Sequence, residues 1–500
     1  MNIDNLERLW PYPKQIKANG EFNTPKEIRF IGEKLPEWLM DDFRKIHKLQ
    51  ITNNPNAYTI KLELSSKLVQ SEEYEISLKT NAACVLAADK VGLSYAMRTL
   101  EQLFVYFPGN LPELEIKDGP TFKKRCFMAD MGRSVWSLSL LKRIIRILHR
   151  LKMNQLHMHL YDDELCSIKF DNLPFGTENP YALTLAEFKE LVEYANERYV
   201  EIVPELEGWG HVGAILYHRP ELRGGDGVYK GGSFIICEET FDLMKKMIFQ
   251  VAACLPNKAT IHLGLDEAKW YLGKNMPDDF TPTDMVQRYY DIIKEIGAKL
   301  DKDLTLRIWA DHAGRPIPQK IKKEIIIEPW CYWNSLQEKM LKDIENYSGK
   351  DKQPWMAGAG VSGGHYRGAY HSTRFWAKNT KNSPNIDGIN ITFWKWNNID
   401  EKFISLFAGS YYLWNPDAET SFANLADYES YDRVVFPIMY GWQAAFEDAN
   451  PDDIRKDMGS VVHVGYYHFG GRHHLPVAPT APLAETLSAH GHDYLTEHKE

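Results

Sequence analysis

From about residue 122 onward, the chain alternates short apolar segments of strand length with longer amphipathic segments of helical spacing. Eight such repeats over roughly 300 residues are typical of a (β/α)8 barrel, or TIM barrel. An open doubly wound sheet is the alternative, but no G-x-G-x-x-G turn follows the first candidate strand. We therefore predict an α/β TIM barrel. The candidate strands are 125–130, 154–160, 200–206, 259–265, 304–309, 324–329, 354–359 and 388–394, and the helical segments include 138–151, 184–199 and 283–300.

The segments on either side of the barrel have different patterns. Residues 1–120 combine alternating strand-like segments with a helical segment at 88–106 and end in a stretch rich in Pro and Gly, so we predict a small α+β domain. The barrel then spans 121–425. We predict that residues 426–500 form a helical C-terminal extension and a loosely ordered tail rich in His, Pro and Ala; a metal site in that tail is the alternative.

Charge and composition exclude several functional classes. The net charge is −9 and the sequence pI is near 6.0, which gives no electrostatic reason to expect binding to nucleic acid or to an anionic membrane. The six scattered cysteines form no C-x-x-C pair, which argues against a structural zinc site and a dense disulfide framework. We find neither a membrane span nor a signal-peptide pattern and expect a cytoplasmic protein, although a leader removed ahead of this sequence would leave the same pattern.

Carboxylates and indoles are enriched where the predicted barrel strands end. These carboxyl ends carry the chemistry in a TIM barrel. Indole faces stack on the C–H faces of sugar rings, and carboxylates bind hydroxyls or move protons at the anomeric centre, so the combination predicts a carbohydrate ligand. The residues at the strand ends are, in chain order, Asp130, Arg133, His159, Asp162, Asp163, Glu205, Glu207, His211, Asp266, Glu267, Trp309, Asp311, Glu328, Trp330, Trp394 and Trp396.

Asp266 and Glu267 stand side by side after the apolar segment 259–265. Two neighbouring carboxylates in a partly dry pocket do not ionise together easily, so their pKa values separate. One can stay protonated as a general acid, while the other stays anionic and stabilises positive charge. For an isolated acidic pair, a helix N-terminus is the non-catalytic interpretation. The strand in front and the indoles at the other strand ends favour the catalytic one.

Several segments resemble glycoside hydrolase family 20, the β-N-acetylhexosaminidases. "HLGLDEA" resembles the family's H-x-G-x-D-E segment, and "VEIVPELEGWGHVGA" resembles its P-E-x-x-x-x-G-H segment. Residues 125–164 follow its R-G-x-x-x-D-x-x-R and H-W-H-L-x-D-D segments in order and spacing, and the N-terminal unit is similar to the small domain that precedes these barrels. Beyond residue 267, "WYLG", "LRIWADHAG", "IIIEPWCYW" and "GINITFWKWNNID" are more similar to the hexosaminidase D branch. The resemblance covers roughly residues 10–415.

The resemblance implies an exo-acting β-N-acetylhexosaminidase that removes terminal GlcNAc or GalNAc with retention and without a cofactor or metal. Glu267 would be the general acid and then the general base. Asp266 would hold the substrate's 2-acetamido group, whose carbonyl oxygen attacks the anomeric carbon. Arg133 would bind ring hydroxyls, and three indoles would wall the sugar pocket. The implied substrate-binding residues are Arg133, Asp162, His211, Trp309, Trp330, Tyr366 and Trp394, of which Asp162 and His211 would support Glu267 and its proton.

The chain also departs from the family pattern. Leu265 stands where the family usually has Gly or Ala, so we expect a narrower pocket floor. Trp396 occupies the place of a Glu that binds the sugar's 4- and 6-hydroxyls. The usual Y-L-D segment is absent, and Tyr366 is our candidate for its acetamide-supporting Tyr. GlcNAc versus GalNAc preference is therefore open, and the hexosaminidase D likeness favours acceptance of GalNAc. For His159, a structural role is at least as reasonable as a functional one.

Two other functions stay open at this point. A sugar-binding barrel without catalytic activity would fit the departures, although the presence of both Asp266 and Glu267 argues against it. A metal-dependent hydrolase is the second alternative, and sensitivity to a chelator would indicate it, but a metal site would not explain the indoles. Its candidate ligands are His157, His159, His211, His262 and Asp266.

Overall fold

A computed structural model describes residues 3–133, 136–163, 165–224, 233–267, 280–310, 317–332, 334–362, 366–394, 399–423, 425 and 428–446. The chain forms two compact units. The first contains the chain up to Arg125, residues 149–153, and the chain from Phe407 through the last described helix; the second contains the rest of the described chain. The domain limits drawn at residues 120 and 425 stay predictions.

The first unit is built on a seven-stranded mixed sheet, which confirms the predicted small α+β domain. Its elements are β1 (Gln15–Asn23), β2 (Glu27–Gly32), α1 (Glu37–Arg44), β3 (Gln50–Ile51), β4 (Tyr58–Leu64), β5 (Tyr74–Leu78), β6 (Ala82–Ala87), α2 (Lys90–Tyr106) and β7 (Asn110–Asp118). The strand order is β1-β7-β5-β6-β4-β2-β3, antiparallel from β1 to β6 and parallel from β6 to β3. Asp89 caps α2 by accepting a hydrogen bond from the Gly92 backbone N–H at 2.7 Å.

The second unit contains a closed barrel of eight parallel strands, which confirms the predicted TIM barrel. Its strands are β8 (Lys124–Asp130), β9 (Gln155–His159), β12 (Glu201–Glu205), β15 (Lys258–His262), β16 (Asp303–Ala310), β17 (Ile325–Pro329), β18 (Trp355–Ser362) and β19 (Ile386–Trp394). They follow one another around the ring in chain order, and each overlaps its predicted segment. The carboxyl ends of all eight strands therefore meet at one rim.

Helices follow most of the barrel strands. Two of the helices begin with capping boxes, Thr184 with Glu187 and Thr281 with Asp284, in which side chains and backbone N–H groups satisfy one another. No helix in the described ranges is long and apolar enough to cross a bilayer. The remaining elements are α3 (Leu138–Arg150), β10 (Ile168–Lys169), β11 (Leu183–Thr184), α4 (Leu185–Asn196), α5 (Gly213–Leu216), β13 (Arg223–Gly224), β14 (Ser233–Phe234), α6 (Glu238–Cys254), α7 (Pro282–Leu300), α8 (Asn334–Asp351), α9 (Tyr366–Thr380), α10 (Ile399–Trp414) and α11 (Tyr428–Phe446).

The chain from Phe407 onward belongs to the first unit because its aromatic side chains pack there. Phe407 stacks on Trp10 with ring centroids 4.2 Å apart. Trp414 lies over the buried Lys152, whose ammonium is 4.6 Å from the ring. The helix α11 falls within the predicted C-terminal extension. The His-rich tail predicted after it lies outside the described residues.

Candidate active site

The loop after β15 carries the adjacent carboxylates. The prediction extended this strand to residue 265, but it ends at His262 because the backbone then turns through positive φ at Gly264 (61°), Leu265 (70°) and Glu267 (47°). A Cβ at Gly264 would overlap the Glu207 carboxylate, so only glycine fits there. The Asp266 side chain is 11% exposed and that of Glu267 is 38% exposed. Glu267 therefore remains accessible, while Asp266 is largely dry.

The Leu265 side chain is fully buried. A Cβ at Gly208 would lie 3.0 Å from Leu265 Cδ2 and 3.0 Å from the Tyr289 ring, so Leu265 packs in the space that the missing side chain of Gly208 leaves. The expected narrowing of the pocket floor by Leu265 stays a prediction.

His211 lies between the acidic pair and Asp162. Its Nδ1 is 3.4 Å from Asp162 Oδ1, and its Nε2 is 3.4 Å from Glu267 Oε2 and 3.8 Å from Asp266 Oδ2. His211 itself has a positive φ of 54°, in the short loop between β12 and α5. Asp163 fixes the start of that helix, because its Oδ1 accepts a hydrogen bond from the Gly213 N–H at 3.0 Å. The arrangement links Glu267 to a buried carboxylate through one imidazole.

Asp162 is a buried anion with cationic groups on two sides. Arg133 Nη2 forms an ion pair with Asp162 Oδ2, and His159 Nε2 donates to the same oxygen at 2.8 Å. Burial would raise the pKa of Asp162, but Arg133, His211 and His159 together hold it well below its usual value. Arg133 also reaches Asp130 Oδ2 at 3.4 Å, and its guanidinium lies 5.4 Å from the centre of the Trp394 ring. Arg133 is thus positioned by two carboxylates and an indole.

The aromatic residues at the strand ends form two contacting groups. Trp309 and Trp394 have ring centroids 5.5 Å apart, and Trp330 stacks on Tyr332 at 5.2 Å. The Trp394 indole N–H donates to the Tyr332 hydroxyl at 2.6 Å, which joins the two groups. Trp309 is fully buried and donates its own indole N–H to Glu205 at 2.5 Å, so it lies below the surface of the site.

Tyr332 is a residue that the sequence reasoning missed. The candidate was Tyr366, whose side chain lies outside the described residues, as do Asp311 and Trp396. Tyr332 follows β17 and accepts hydrogen bonds from Trp394 and, at 3.4 Å, from the Thr392 hydroxyl. Burial raises the pKa of Tyr332 far above its ordinary value, so the phenol stays protonated. The W-x-Y spacing after a predicted strand was the available signal, because it places two aromatic side chains at one strand end.

Polar side chains fill the barrel interior beneath the site. Three imidazoles surround Glu205. His159 Nδ1 donates to it at 2.5 Å, while His157 Nε2 and His262 Nδ1 lie 3.1 Å and 3.0 Å from its carboxyl oxygens. Burial would raise the pKa of Glu205, but these imidazoles hold it well below its usual range. Asn390 bridges His157, at 2.9 Å, and Glu328, at 2.8 Å. The interior is therefore a hydrogen-bonded network centred on one carboxylate.

Glu207 differs from the other buried acids. It is 1% exposed, and within the described residues neither of its carboxyl oxygens has a hydrogen-bond partner. Burial and the nearby Asp266 and Glu205 carboxylates raise the pKa of Glu207 well above its ordinary value. A neutral carboxylic acid is the form that this environment favours.

Three groups of described side chains bring potential metal ligands within 4.8 Å of one another, and none of them combines His211 with His157 or His159. Several of the nitrogen atoms in these groups already face other partners. The Asn390 amide donates to His157 Nδ1, so His157 Nε2 carries a hydrogen toward Glu205, and both nitrogens of His159 face carboxylates. Arg133 beside Asp162 disfavours a second cation there. The geometry thus does not assemble the metal site considered above, and we assign these residues to the hydrogen-bonded network.

Comparison with known proteins places this geometry in a family. The protein-family model described as glycosyl hydrolase family 20, catalytic domain, matches the sequence of residues 122–348. The family model for domain 2 of the same family matches residues 7–119. Beta-hexosaminidases of Porphyromonas gingivalis and Vibrio furnissii are both 27% identical to this chain, over 40% and 54% of its length. The chain spans only 28% and 50% of the length of these relatives.

A solved structure supports the same assignment at the level of the fold. The family 20 β-N-acetylhexosaminidase from Streptomyces coelicolor A3(2) is similar with a TM-score of 0.69 and 20% identity, over 88% of this chain and 96% of that one. Because two models of one family match consecutive parts of the sequence, and because the fold agrees, the chain belongs to glycosyl hydrolase family 20.

Proposed function

We propose that this protein is an exo-acting β-N-acetylhexosaminidase that removes a terminal GlcNAc or GalNAc with retention. The observation that carries the proposal is the connection from Glu267 through His211 to Asp162, with Asp266 directly beside the general acid. Glu267 would be the proton donor, and Asp266 would be the anion that stabilises positive charge on the substrate. His211 would hold the Glu267 carboxyl and its proton in place. Family membership and the beta-hexosaminidase relatives support the same substrate class.

In the first step, the carbonyl oxygen of the substrate's 2-acetamido group attacks the anomeric carbon and the bond to the leaving oxygen breaks. Glu267 gives its proton to that leaving oxygen. Positive charge develops on the acetamide. The Asp266 carboxylate stabilises this charge by accepting a hydrogen bond from the amide N–H. Adjacent acids suit this chemistry because no enzyme nucleophile is needed opposite the proton donor.

In the second step, a water molecule attacks the anomeric carbon and the bond between that carbon and the acetamide oxygen breaks. This second inversion restores the original configuration. Glu267, now a carboxylate, takes the proton from that water and returns to its starting state. His211 faces both Glu267 and Asp162 throughout, so it can hold the Glu267 carboxyl in place while its charge changes.

Sugar binding draws on the rim residues. The Arg133 guanidinium, oriented by Asp130 and Asp162, offers forked donors to ring hydroxyls. The Trp394 indole offers a flat apolar face beside it, and Trp330 is a second indole at the rim. The buried Trp309, predicted to wall the sugar pocket, packs against Trp394. Tyr366 stays a predicted acetamide contact, and Tyr332 is a second phenol at the rim with the same chemistry. The preference between GlcNAc and GalNAc and the likeness to hexosaminidase D also stay predictions.

The proposal is tested by comparing hydrolysis rates of aryl β-GlcNAc, β-GalNAc and β-glucoside substrates. We expect activity only on the two N-acetylated sugars, because the glucoside lacks the internal nucleophile. Equal turnover of the glucoside would contradict the proposal. Addition of EDTA tests the metal-dependent alternative, since loss of activity would support a metal. Binding of GlcNAc without turnover of any substrate would support a sugar-binding barrel instead.

The catalytic pair is tested by two isosteric substitutions. We expect Glu267→Gln to abolish cleavage of the aryl β-N-acetylhexosaminides, and Asp266→Asn to lower kcat/KM by about a hundredfold or more, as for other charge-stabilising groups. Both variants should keep the wild-type circular dichroism spectrum and melting temperature. Turnover at the wild-type rate in either variant would exclude the mechanism.

A further inference from the structure

The mechanism described so far does not use His159, yet this imidazole lies between two carboxylates. Its Nδ1 is 2.5 Å from Glu205 Oε2 and its Nε2 is 2.8 Å from Asp162 Oδ2. Burial alone would lower the pKa of His159, but Glu205 and Asp162 raise it well above its ordinary value. His159 is therefore a buried imidazolium rather than a neutral structural histidine.

The groups facing His159 come from several elements. Glu205 and Glu207 approach from β12 and the residues after it, with Glu207 Oε1 3.8 Å from Nδ1. Asp162 approaches from the loop after β9 and also pairs with Arg133. The Trp394 ring packs perpendicular to the imidazole, with the two ring centroids 5.2 Å apart. His159 is thus excluded from water and contacts anions on both sides.

A continuous line of alternating carboxylates and imidazoles runs from the barrel interior to the general acid. From Asp162, the line continues to His211 at 3.4 Å and from His211 to Glu267 at 3.4 Å. Every link between Glu205 and Glu267 is 3.4 Å or shorter, and the members in order are Glu205, His159, Asp162, His211 and Glu267.

The charge on Asp162 decides where the proton next to the substrate resides. An uncompensated Asp162 carboxylate would attract a proton onto His211, and an imidazolium 3.4 Å from Glu267 would favour the ionised form of that acid. Arg133 and His159 both place a positive charge next to Asp162. Because these charges compensate the negative charge of Asp162, His211 can stay neutral and Glu267 can keep the proton that catalysis needs.

We propose that His159 is a positioning residue which, with Arg133, neutralises Asp162 so that the proton shared by His211 and Glu267 stays on Glu267. This inference rests on the proposed hydrolase function. His159 touches no reacting atom and exchanges no proton with the substrate. Its effect reaches the reaction only through the proton that Glu267 gives to the leaving oxygen.

A pair of substrates that differ in leaving group tests this role. Phenyl β-GlcNAc needs protonation of its leaving oxygen, whereas 2,4-dinitrophenyl β-GlcNAc leaves without it. In His159→Gln, we expect the proton to move from Glu267 toward His211. The factor by which kcat/KM falls should then be about tenfold or more larger for the phenyl substrate than for the dinitrophenyl substrate. A loss of general structural origin lowers both rates by the same factor, and that result would overturn the inference.

His157→Gln is the matched control. His157 contacts the same Glu205 oxygen, at 3.1 Å, but among the described residues it forms no ion pair with Asp162. We expect the same factor on both substrates for this variant. A leaving-group difference as large as that of His159→Gln would show that any disturbance of the interior network has this effect, which would also overturn the inference.

Glu205→Gln provides a second route if His159→Gln does not fold. It keeps the size and hydrogen-bonding ability of the side chain but removes the anion that keeps His159 charged, so the leaving-group difference should reappear with the imidazole in place. Its absence in folded Glu205→Gln would count against the role of His159. Wild-type protein inactive on both substrates would instead contradict the proposed function, so the two failures are distinguishable.

Discussion

At the scale of single residues, the backbone of residues 264–267 decides the geometry of the acidic pair. Gly264 adopts φ 61° at no steric cost, whereas Leu265 at φ 70° and Glu267 at φ 47° adopt a conformation that costs L-residues about 1–2 kcal/mol each. The Leu265 side chain is fully buried and the Gly264 N–H donates to His262 Nδ1 at 2.9 Å, and both contacts hold this turn in place. This turn places both carboxylates at the end of the strand. In a continued strand, the two adjacent side chains would point to opposite faces of the sheet.

We expect Gly264→Ala to be strongly destabilising and nearly inactive. The new Cβ would overlap the Glu207 carboxylate, and the positive φ disfavours any L side chain, so the combined cost should reach about 2–4 kcal/mol. Gly109→Ala is the control, since a Cβ there meets no atom within 4 Å. Thermal unfolding and kcat/KM measure both effects, and similar melting temperatures for the two variants would contradict this explanation.

At the scale of elements, a side-chain hydrogen bond at the rim joins the ends of two barrel strands that are not neighbours. Tyr332 follows β17 and Trp394 ends β19, with β18 between them in the ring. The Trp394 indole N–H donates to the Tyr332 hydroxyl at 2.6 Å, and Trp394 also contacts Trp309 and the guanidinium of Arg133. This bond fixes the orientation of the Trp394 indole, whose face we propose packs against the sugar ring.

We expect Tyr332→Phe to raise KM for the aryl N-acetylhexosaminides about fivefold, because the Trp394 N–H loses an acceptor and the ring loses its fixed orientation, at a cost of about 1 kcal/mol. A double-mutant cycle with Trp394→Phe separates the bond from other effects of each ring, and we expect a coupling of about 0.5–3 kcal/mol. Additive losses of the two substitutions would show that the bond has no role in binding.

At the scale of the whole molecule, the polar barrel interior makes stability depend on pH. Burial is the main cause that lowers the pKa of His262, from 6.5 to about 3 in the folded protein. The unfolded chain therefore takes up a proton on this residue below pH 6.5, which the folded chain does not until about pH 3. Stability from His262 is present above pH 6.5 and is lost as the pH falls from 6.5 toward 3.

We expect His262→Asn to flatten the dependence of the melting temperature on pH between about 6.5 and 4. The variant loses stability at pH 7, but it lacks the group whose protonation favours the unfolded chain, so its melting temperature falls less on acidification. Thermal unfolding followed by circular dichroism at several pH values measures the slope. The exposed His47 provides a control in His47→Asn, and a wild-type slope in His262→Asn would refute the assignment.

The ends of the barrel strands could be anticipated from the sequence, but the connections among them could not. The apolar segments predicted all eight strands, and because parallel strands end at one rim, Asp162, His211 and Glu267 were expected near one another. Their actual contacts depend on χ angles and on loops whose conformation no periodicity encodes. The loop after β17 is an example: it places the Tyr332 hydroxyl where it accepts a hydrogen bond from the Trp394 indole, and the sequence did not single out Tyr332.

The sequence by itself determined the barrel, the small domain before it, and the rim on which the acids and indoles stand, because hydrophobic periodicity and strand direction are local properties of the chain. The tertiary structure alone decided the protonation states. Whether His159 is charged, Glu207 neutral or Asp162 anionic depends on burial and on charges from strands distant in the sequence, such as Glu205 facing His159. Coulomb interactions in a water-excluded interior act over a few ångströms in space, and only the closed ring of strands brings these groups that close.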